Sequence, residues 1–505
     1  MLTLRNIFQY TEGSPLIFSQ YLFLFLFSAG FVLYWLFHKK LVLRNTYLLL
    51  FSLFFYYKSG GLYFGLLLIS TIVDYWCGNE IYKSKDPLTR KVFLILSLFV
   101  NLGLLAFFKY SAYIVGLINF YAGTDFHVVN FMAVVSNNLF GSGFDITEII
   151  LPVGISFYTF QTLSYTIDIY RNQLKPTKNI IDFGFFVTFF PQLVAGPIVR
   201  ASDFIPQIYK KFSLNRKQLG VALYLIMTGL FKKTVISDYI SVNFVDRVFD
   251  DPNLYSGFSN LMAVYGYSIQ IYCDFSGYSD MAIGLAALLG FQLPLNFNSP
   301  YKSESITDFW RRWHISLSSW LRDYLYISLG GNRKGKVRTY INLMITMLLG
   351  GLWHGAATKF IIWGGLHGAA LAVHKLWQRY VPGLSDMKGV LPKLITGVVT
   401  FHFVAFCWIY FRASNVEKVG LMLTQIFTDF NWAGIGERFS KYSSPFLLII
   451  LGFVIHFLPN NWKTWGKDVF VKIPDVAKVA LCSVIIFICY QAKTADVQPF
   501  IYFQF

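Results

Sequence analysis

The chain is a succession of apolar runs, and their length decides what it can fold into. Residues 16–37 are almost entirely apolar. As a helix, about 20 such residues cross the hydrocarbon core of a bilayer. Further runs follow at 45–57, 62–77, 92–108, 149–169, 219–240, 258–273, 281–293, 340–353, 360–377, 395–411, 446–458 and 476–490. Several are short for a clean crossing. They suit re-entrant or partly buried helices, which a multi-helix protein tolerates where protein covers the backbone. About eleven true spans are expected, at about 20 apolar residues each. No fixed-period repeat or low-complexity linker divides the chain, so 1–505 reads as one all-α integral membrane domain.

Composition closes off the other classes. Apolar residues make up 55% and charged residues 14%, against about 25% charged in soluble domains. Neither intrinsic disorder nor a disulfide scaffold fits. Cys77, Cys273, Cys407, Cys482 and Cys489 lie in or beside apolar runs without a C-x-x-C pair, and read as small core hydrophobes rather than metal ligands. The net charge of +17 is scattered among apolar spans, which favours cytoplasmic loops over nucleic-acid binding. Lys39, Lys40 and Arg44, then Lys83, Lys85, Arg90 and Lys91, then Arg171, Lys175 and Lys178 mark loops expected to be cytoplasmic. Residues 122–148 hold no Lys or Arg and are expected outside, which places the N-terminus outside too. The N-terminal run reads as a retained span, because it is long and lacks a small-residue cleavage site.

Residues 301–338 interrupt this pattern. Trp310, Trp313, His314, Leu317, Trp320, Leu321 and Tyr324 share one helical face, with Asp308, Arg311, Arg312, Ser316, Ser319, Arg322 and Asp323 opposite. The spacing predicts an amphipathic helix ending at Gly330-Gly331. An interfacial helix on anionic lipid fits, except that His314 sits on the apolar face. A second histidine, His354, interrupts the run LLGGLWHGAA between Gly350, Gly351 and Gly355. An ionisable group at membrane depth is costly and marks a functional candidate; a helix-packing motif with an incidental histidine is the alternative. His367, in WGGLHG, suits packing, and His38, His127, His374, His402 and His456 read as interfacial residues. Neutral imidazole is a suitable general base for a hydroxyl attacking a thioester or ester. Walker, H-E-x-x-H, G-x-S-x-G and G-x-G-x-x-G motifs are absent, so nucleotide, zinc-protease and serine-hydrolase chemistry lose support.

Together these segments resemble a known family. FWRRWHISLSSWLRDYLYISLGGNR followed by GGLWHGA is similar to the signature of the membrane-bound O-acyltransferase (MBOAT) family, in its bacterial alginate O-acetyltransferase (AlgI-like) branch. LPVGISFYTFQTLSYTIDIYR, FFPQLVAGPIVR, GLFKK, YCDFSGYSDMAIG, LNFNSPY and WIYFRA match in order along 151–413. The resemblance implies a ring of about eleven membrane helices, with short re-entrant and interfacial ones, around a funnel or tunnel. It implies that His354 is the catalytic histidine and His314 its active-site companion. The donor would be acetyl-CoA on the cytoplasmic side, a substrate rather than a bound cofactor, and no metal would be needed. The acceptor would be an external SGNH-type acyltransferase or esterase partner, or a polysaccharide hydroxyl, at a bacterial inner membrane. Arg311, Arg322 and Arg333 belong to a basic cluster suited to CoA phosphates, and a positive-inside loop meeting anionic lipid explains the same charges. D-alanyl transfer to teichoic acid from a carrier-protein thioester is the rival within the family. A polysaccharide transporter is the rival outside it.

Overall fold

The longest helix, Pro87–Ala122, shows how local chemistry sets helix ends. The Asp86 carboxylate accepts from the amides of Leu88 and Thr89 at 3.4 and 2.8 Å, and Pro87 occupies the first turn, where its missing N–H costs nothing. Gly123, at φ 64°, ends the helix in the left-handed conformation. Its outward residues are apolar: Phe99, Phe120 and Tyr121 are exposed. That surface is unfavourable in water and favourable against lipid.

The computed structural model describes residues 8–10, 15–141, 143–149, 151–194, 196–381 and 389–492. Among these the chain is helical, with no β-strand. Ser142, Ile150 and Ala195 lie outside the described residues; they fall in the expected outer stretch 122–148, the span 149–169 and the motif FFPQLVAGPIVR respectively. Four described helices are long and apolar enough to cross a membrane: Pro87–Ala122, Arg216–Asp250, Val390–Arg412 and Asp475–Ala492. Trp432–Lys441 and Ser443–Phe457 qualify together as a fifth, broken by a 93° bend. Tyr21–Phe37 is apolar but shorter. Other helices bury polar groups against protein. In Leu41–Gly60, Arg44 is buried and donates to the carbonyls of Lys210, at 2.8 Å, and Ile208.

Two expectations change. Runs 258–273 and 281–293 are one helix, Gly257–Leu288. The polar stretch between them resembles a loop, but its charges have partners on the neighbouring helix. Lys233 binds Asp274 at 2.6 Å and Lys232 binds Asp280 at 2.5 Å. A side chain at Gly277 would strike the Gly229 carbonyl, so the two helices touch backbone to backbone there.

The expected amphipathic helix is also broken. Ile306–Arg312 stops, Trp313 is extended, and His314 takes a left-handed conformation at φ 42°, ψ 55° before Ile315–Trp320 begins. The apolar set is nonetheless buried in protein rather than laid on lipid, with Trp310 half-buried. Ser316, from the polar set, is buried as well.

Helices Lys336–His354 and Thr358–Tyr380 form a tight hairpin. Side chains at Gly351 and Gly364 would collide with the carbonyls of Phe360 and Met347. Beside the hairpin, Phe64–Lys83, Pro87–Ala122 and Ile155–Tyr170 are joined by buried polar contacts. Asp74 accepts from Ser97 at 2.6 Å and Asn101 at 2.8 Å, and Thr162 donates to Asn101 at 3.2 Å. The five cysteines are free, and all but the half-buried Cys482 are buried.

Candidate active site

His354 is the last residue of its helix and is 3% exposed. The helix stops because Gly355 turns to extended backbone, and a side chain there would strike the Phe360 ring. The imidazole stands edge-on to Trp353, Trp363 and Phe411, with ring centroids at 5.0, 5.0 and 5.1 Å.

His314 reaches the same place from the break between two short helices. It is fully buried, and its ring meets Phe275 at 4.6 Å and Trp353 at 6.1 Å. A non-glycine residue in the left-handed region costs about 1–3 kcal/mol and persists only where its surroundings impose it. Asn296 is one such constraint. Its Oδ1 lies 3.1 Å from His314 Nδ1 and accepts from the Ser316 amide at 3.2 Å and the Ser316 hydroxyl at 2.9 Å. A backbone amide can only donate, so this atom is the acceptor oxygen. His314 Nδ1 therefore carries the proton and Nε2 the lone pair. Ser316 Oγ in turn accepts from the Ile198 amide at 3.0 Å, which ties the GPIVR segment to the site.

Both histidines thus touch Trp353, and that residue also lines a small cavity of about 60 Å³. Lys109, Gly154, Ser156, Phe157 and Val194 form other parts of its wall. Gly154, at φ 74°, is required there, since a side chain would sit 2.6 Å from the Leu193 carbonyl. Among the described residues no group of three His, Cys, Asp or Glu converges to hold a metal.

A second cluster lies farther along Ile155–Tyr170, about 12 Å from Phe160 at 1.5 Å per residue. There Tyr324 donates to the Asp168 carboxylate at 2.9 Å. The guanidinium carbons of Arg171 and Arg200 lie 5.4 and 5.6 Å from the Tyr324 ring. Asp323 binds Arg200 and Arg322, both at 2.6 Å. A row of rings links this cluster to the histidines. Tyr324 meets Trp320 at 5.1 Å, Trp320 stacks on Phe160 at 3.8 Å, and Phe160 stacks on Trp353 at 5.5 Å.

The structure therefore brings His314 and His354 together. The expected donor-binding residues Arg311, Arg322 and Arg333 are all exposed, and Arg322 pairs with Asp323. His367 is buried among Trp310, Trp363 and Phe403. His456 is corrected: it is buried, not interfacial, and accepts from the Tyr301 amide at 3.1 Å. Sequence reasoning missed Asn296, Lys109, Asp168, Arg171 and Arg200 as members of these clusters. All but Lys109 stood inside quoted motifs, which was the available signal.

Residues 170–412 match the MBOAT, membrane-bound O-acyltransferase family. The peptidoglycan O-acetyltransferase of Helicobacter pylori is 39% identical over 433 residues, covering 80% of this chain and 78% of the relative. The chain belongs to the membrane-bound O-acyltransferase family. Other O-acyltransferase relatives agree. The probable alginate O-acetylase AlgI of Pseudomonas aeruginosa is 42% identical over 422 residues, covering 83% of this chain and 76% of the relative. The teichoic acid D-alanyltransferase of Bacillus subtilis is 30% identical over 268 residues, covering 50% and 67%. This O-acyltransferase is an enzyme of the membrane, with several apolar helices to hold it there.

Proposed function

We propose that the enzyme moves an acetyl group from acetyl-CoA on the cytoplasmic side to an external acceptor, for O-acetylation of a cell-surface or secreted polysaccharide. The observation that carries this reading is the meeting of His314 and His354 at Trp353 in a buried site. His354 would take the proton of the attacking hydroxyl. The hydroxyl oxygen would bond to the thioester carbonyl carbon, the C–S bond would break, and the thiolate would leave as CoA. His314, with Nδ1 fixed by Asn296, would present Nε2 as a second base or proton carrier.

The charge pattern of the loops supports a bacterial inner-membrane placement with the Arg171 end facing the cytoplasm. Arg311, Arg322 and Arg333 would meet the donor's phosphates, joined by Arg171 and Arg200. The ring row Tyr324–Trp320–Phe160–Trp353 would flank the path of the pantetheine arm. A ring of about eleven helices around such a path agrees with the length of the apolar runs. Relatives named for O-acetylation align over more of this chain than those named for D-alanyl transfer, which favours acetyl as the acyl group.

The external acceptor would be a partner protein of the SGNH type that passes the acetyl group to the polymer. CoA is too large and charged to cross the ~30 Å hydrocarbon core, so only the acyl group should pass. Reconstitution in liposomes with acetyl-CoA and the host polysaccharide, with and without candidate partners, tests this. Acetylation should require the partner. Efficient acetylation without one would show the relay to be wrong.

A further inference from the structure

The last four carbonyls of an α-helix lack partners within it, and in buried apolar surroundings each needs another donor. The helix carrying His354 ends inside the protein, with Trp353 and His354 at 4% and 3% exposure. Two of its final carbonyls are satisfied from one neighbouring helix, Pro87–Ala122. Tyr110 Oη donates to the Leu352 carbonyl at 2.8 Å, and Lys109 Nζ donates to the Trp353 carbonyl at 2.6 Å. One turn further along, the Tyr113 hydroxyl lies 3.0 Å from Thr358 Oγ1, at the start of the following helix. A single helix face thus holds the turn after His354 from both ends.

Lys109 has features that a simple packing role does not need. An ammonium at this depth is costly. Here it sits at the carbonyl end of a helix, where the aligned peptide dipoles favour a cation. It also lies 5.9 Å from the centre of the Trp353 ring, the ring both histidines touch, and it lines the cavity beside them.

We propose that Lys109 is a positioning residue for acyl transfer. By holding the Trp353 carbonyl it fixes the helix end that carries His354, and the indole against which His314 is set. This rests on His354 being the general base.

The test uses the full chain in inverted membrane vesicles of its own host, where its natural acceptor is present, with initial rates measured against acetyl-CoA. Lys109→Met keeps the aliphatic stem and removes the donor. It should lower kcat about 10- to 100-fold, as small misplacements of a reacting group do, with the KM for acetyl-CoA changed less than about twofold. Lys109→Gln restores an N–H donor without the charge and should regain part of that loss. His354→Ala is measured in parallel. Wild-type kcat in Lys109→Met beside an inactive His354→Ala would overturn the positioning role alone. An active His354→Ala would instead overturn the base assignment on which it rests. Equal losses in both Lys109 variants, with KM and membrane yield failing together, would show a purely structural lysine and also overturn the proposal.

Discussion

His314 Nδ1 lies 3.1 Å from Asn296 Oδ1, an oxygen that also takes two hydrogen bonds from Ser316. One side chain therefore sets the tautomer of the imidazole and holds the helix break that carries it. Asn296→Ala would strand these buried donors, at about 1–3 kcal/mol each. Activity should fall about 10- to 100-fold, by analogy with loss of the partner that orients a metal-bound imidazole. Rates of acetyl-CoA turnover, with detergent melting temperatures as a control, measure both effects. Unchanged turnover would remove Asn296 from the site.

His314→Ala should also be severe. If the two histidines act as a unit, the double variant with His354→Ala should be little worse than either single one. Single and double variants compared in one transfer assay decide this. Losses that multiply would mean independent roles.

The Arg171–Arg200 cluster should govern donor affinity. Replacing both with Gln should raise the KM for acetyl-CoA more than it lowers kcat, because charge-assisted contacts to phosphate position the donor without taking part in bond making. Arg311→Gln and Arg333→Gln make the useful comparison, since those exposed side chains lie outside the Asp323 cluster. A donor KM that none of these changes alters would place the phosphates elsewhere.

Gly351 and Gly364 set the spacing of the hairpin behind His354. Gly364→Ala places a methyl group against the Met347 carbonyl. Overpacking of this kind costs about 1–3 kcal/mol. The expected reading is a lower melting temperature of the purified protein. A melting temperature equal to wild type would show that the hairpin relaxes freely.

His354 was legible because a titratable group inside an apolar run is expensive, and His314 because it sits on the apolar face of an otherwise amphipathic segment; both are buried. The break at His314 was not. The apolar period continues through 313 and 314, and nothing local marks a left-handed histidine; it is held by Asn296 from outside the segment. The joining of runs 258–273 and 281–293 through residues 274–280 was hidden for the reverse reason. Asp274 and Asp280 resemble a loop until Lys233 and Lys232 are seen across the helix pair. Lys109 and Trp353 are 244 residues apart, and no periodicity reports such a contact. Helix existence is written locally in this chain, whereas helix breaks and second partners are written in the tertiary packing.

The general-base assignment of His354 is the claim on which the rest depends. It is tested by transfer of labelled acetyl from acetyl-CoA by purified protein, with its acceptor present, comparing wild type with His354→Ala at matched folded concentration. Loss of a general base should lower the rate by about 10²- to 10⁴-fold while the protein stays inserted and folded. Turnover near the wild-type rate in the variant would contradict the account.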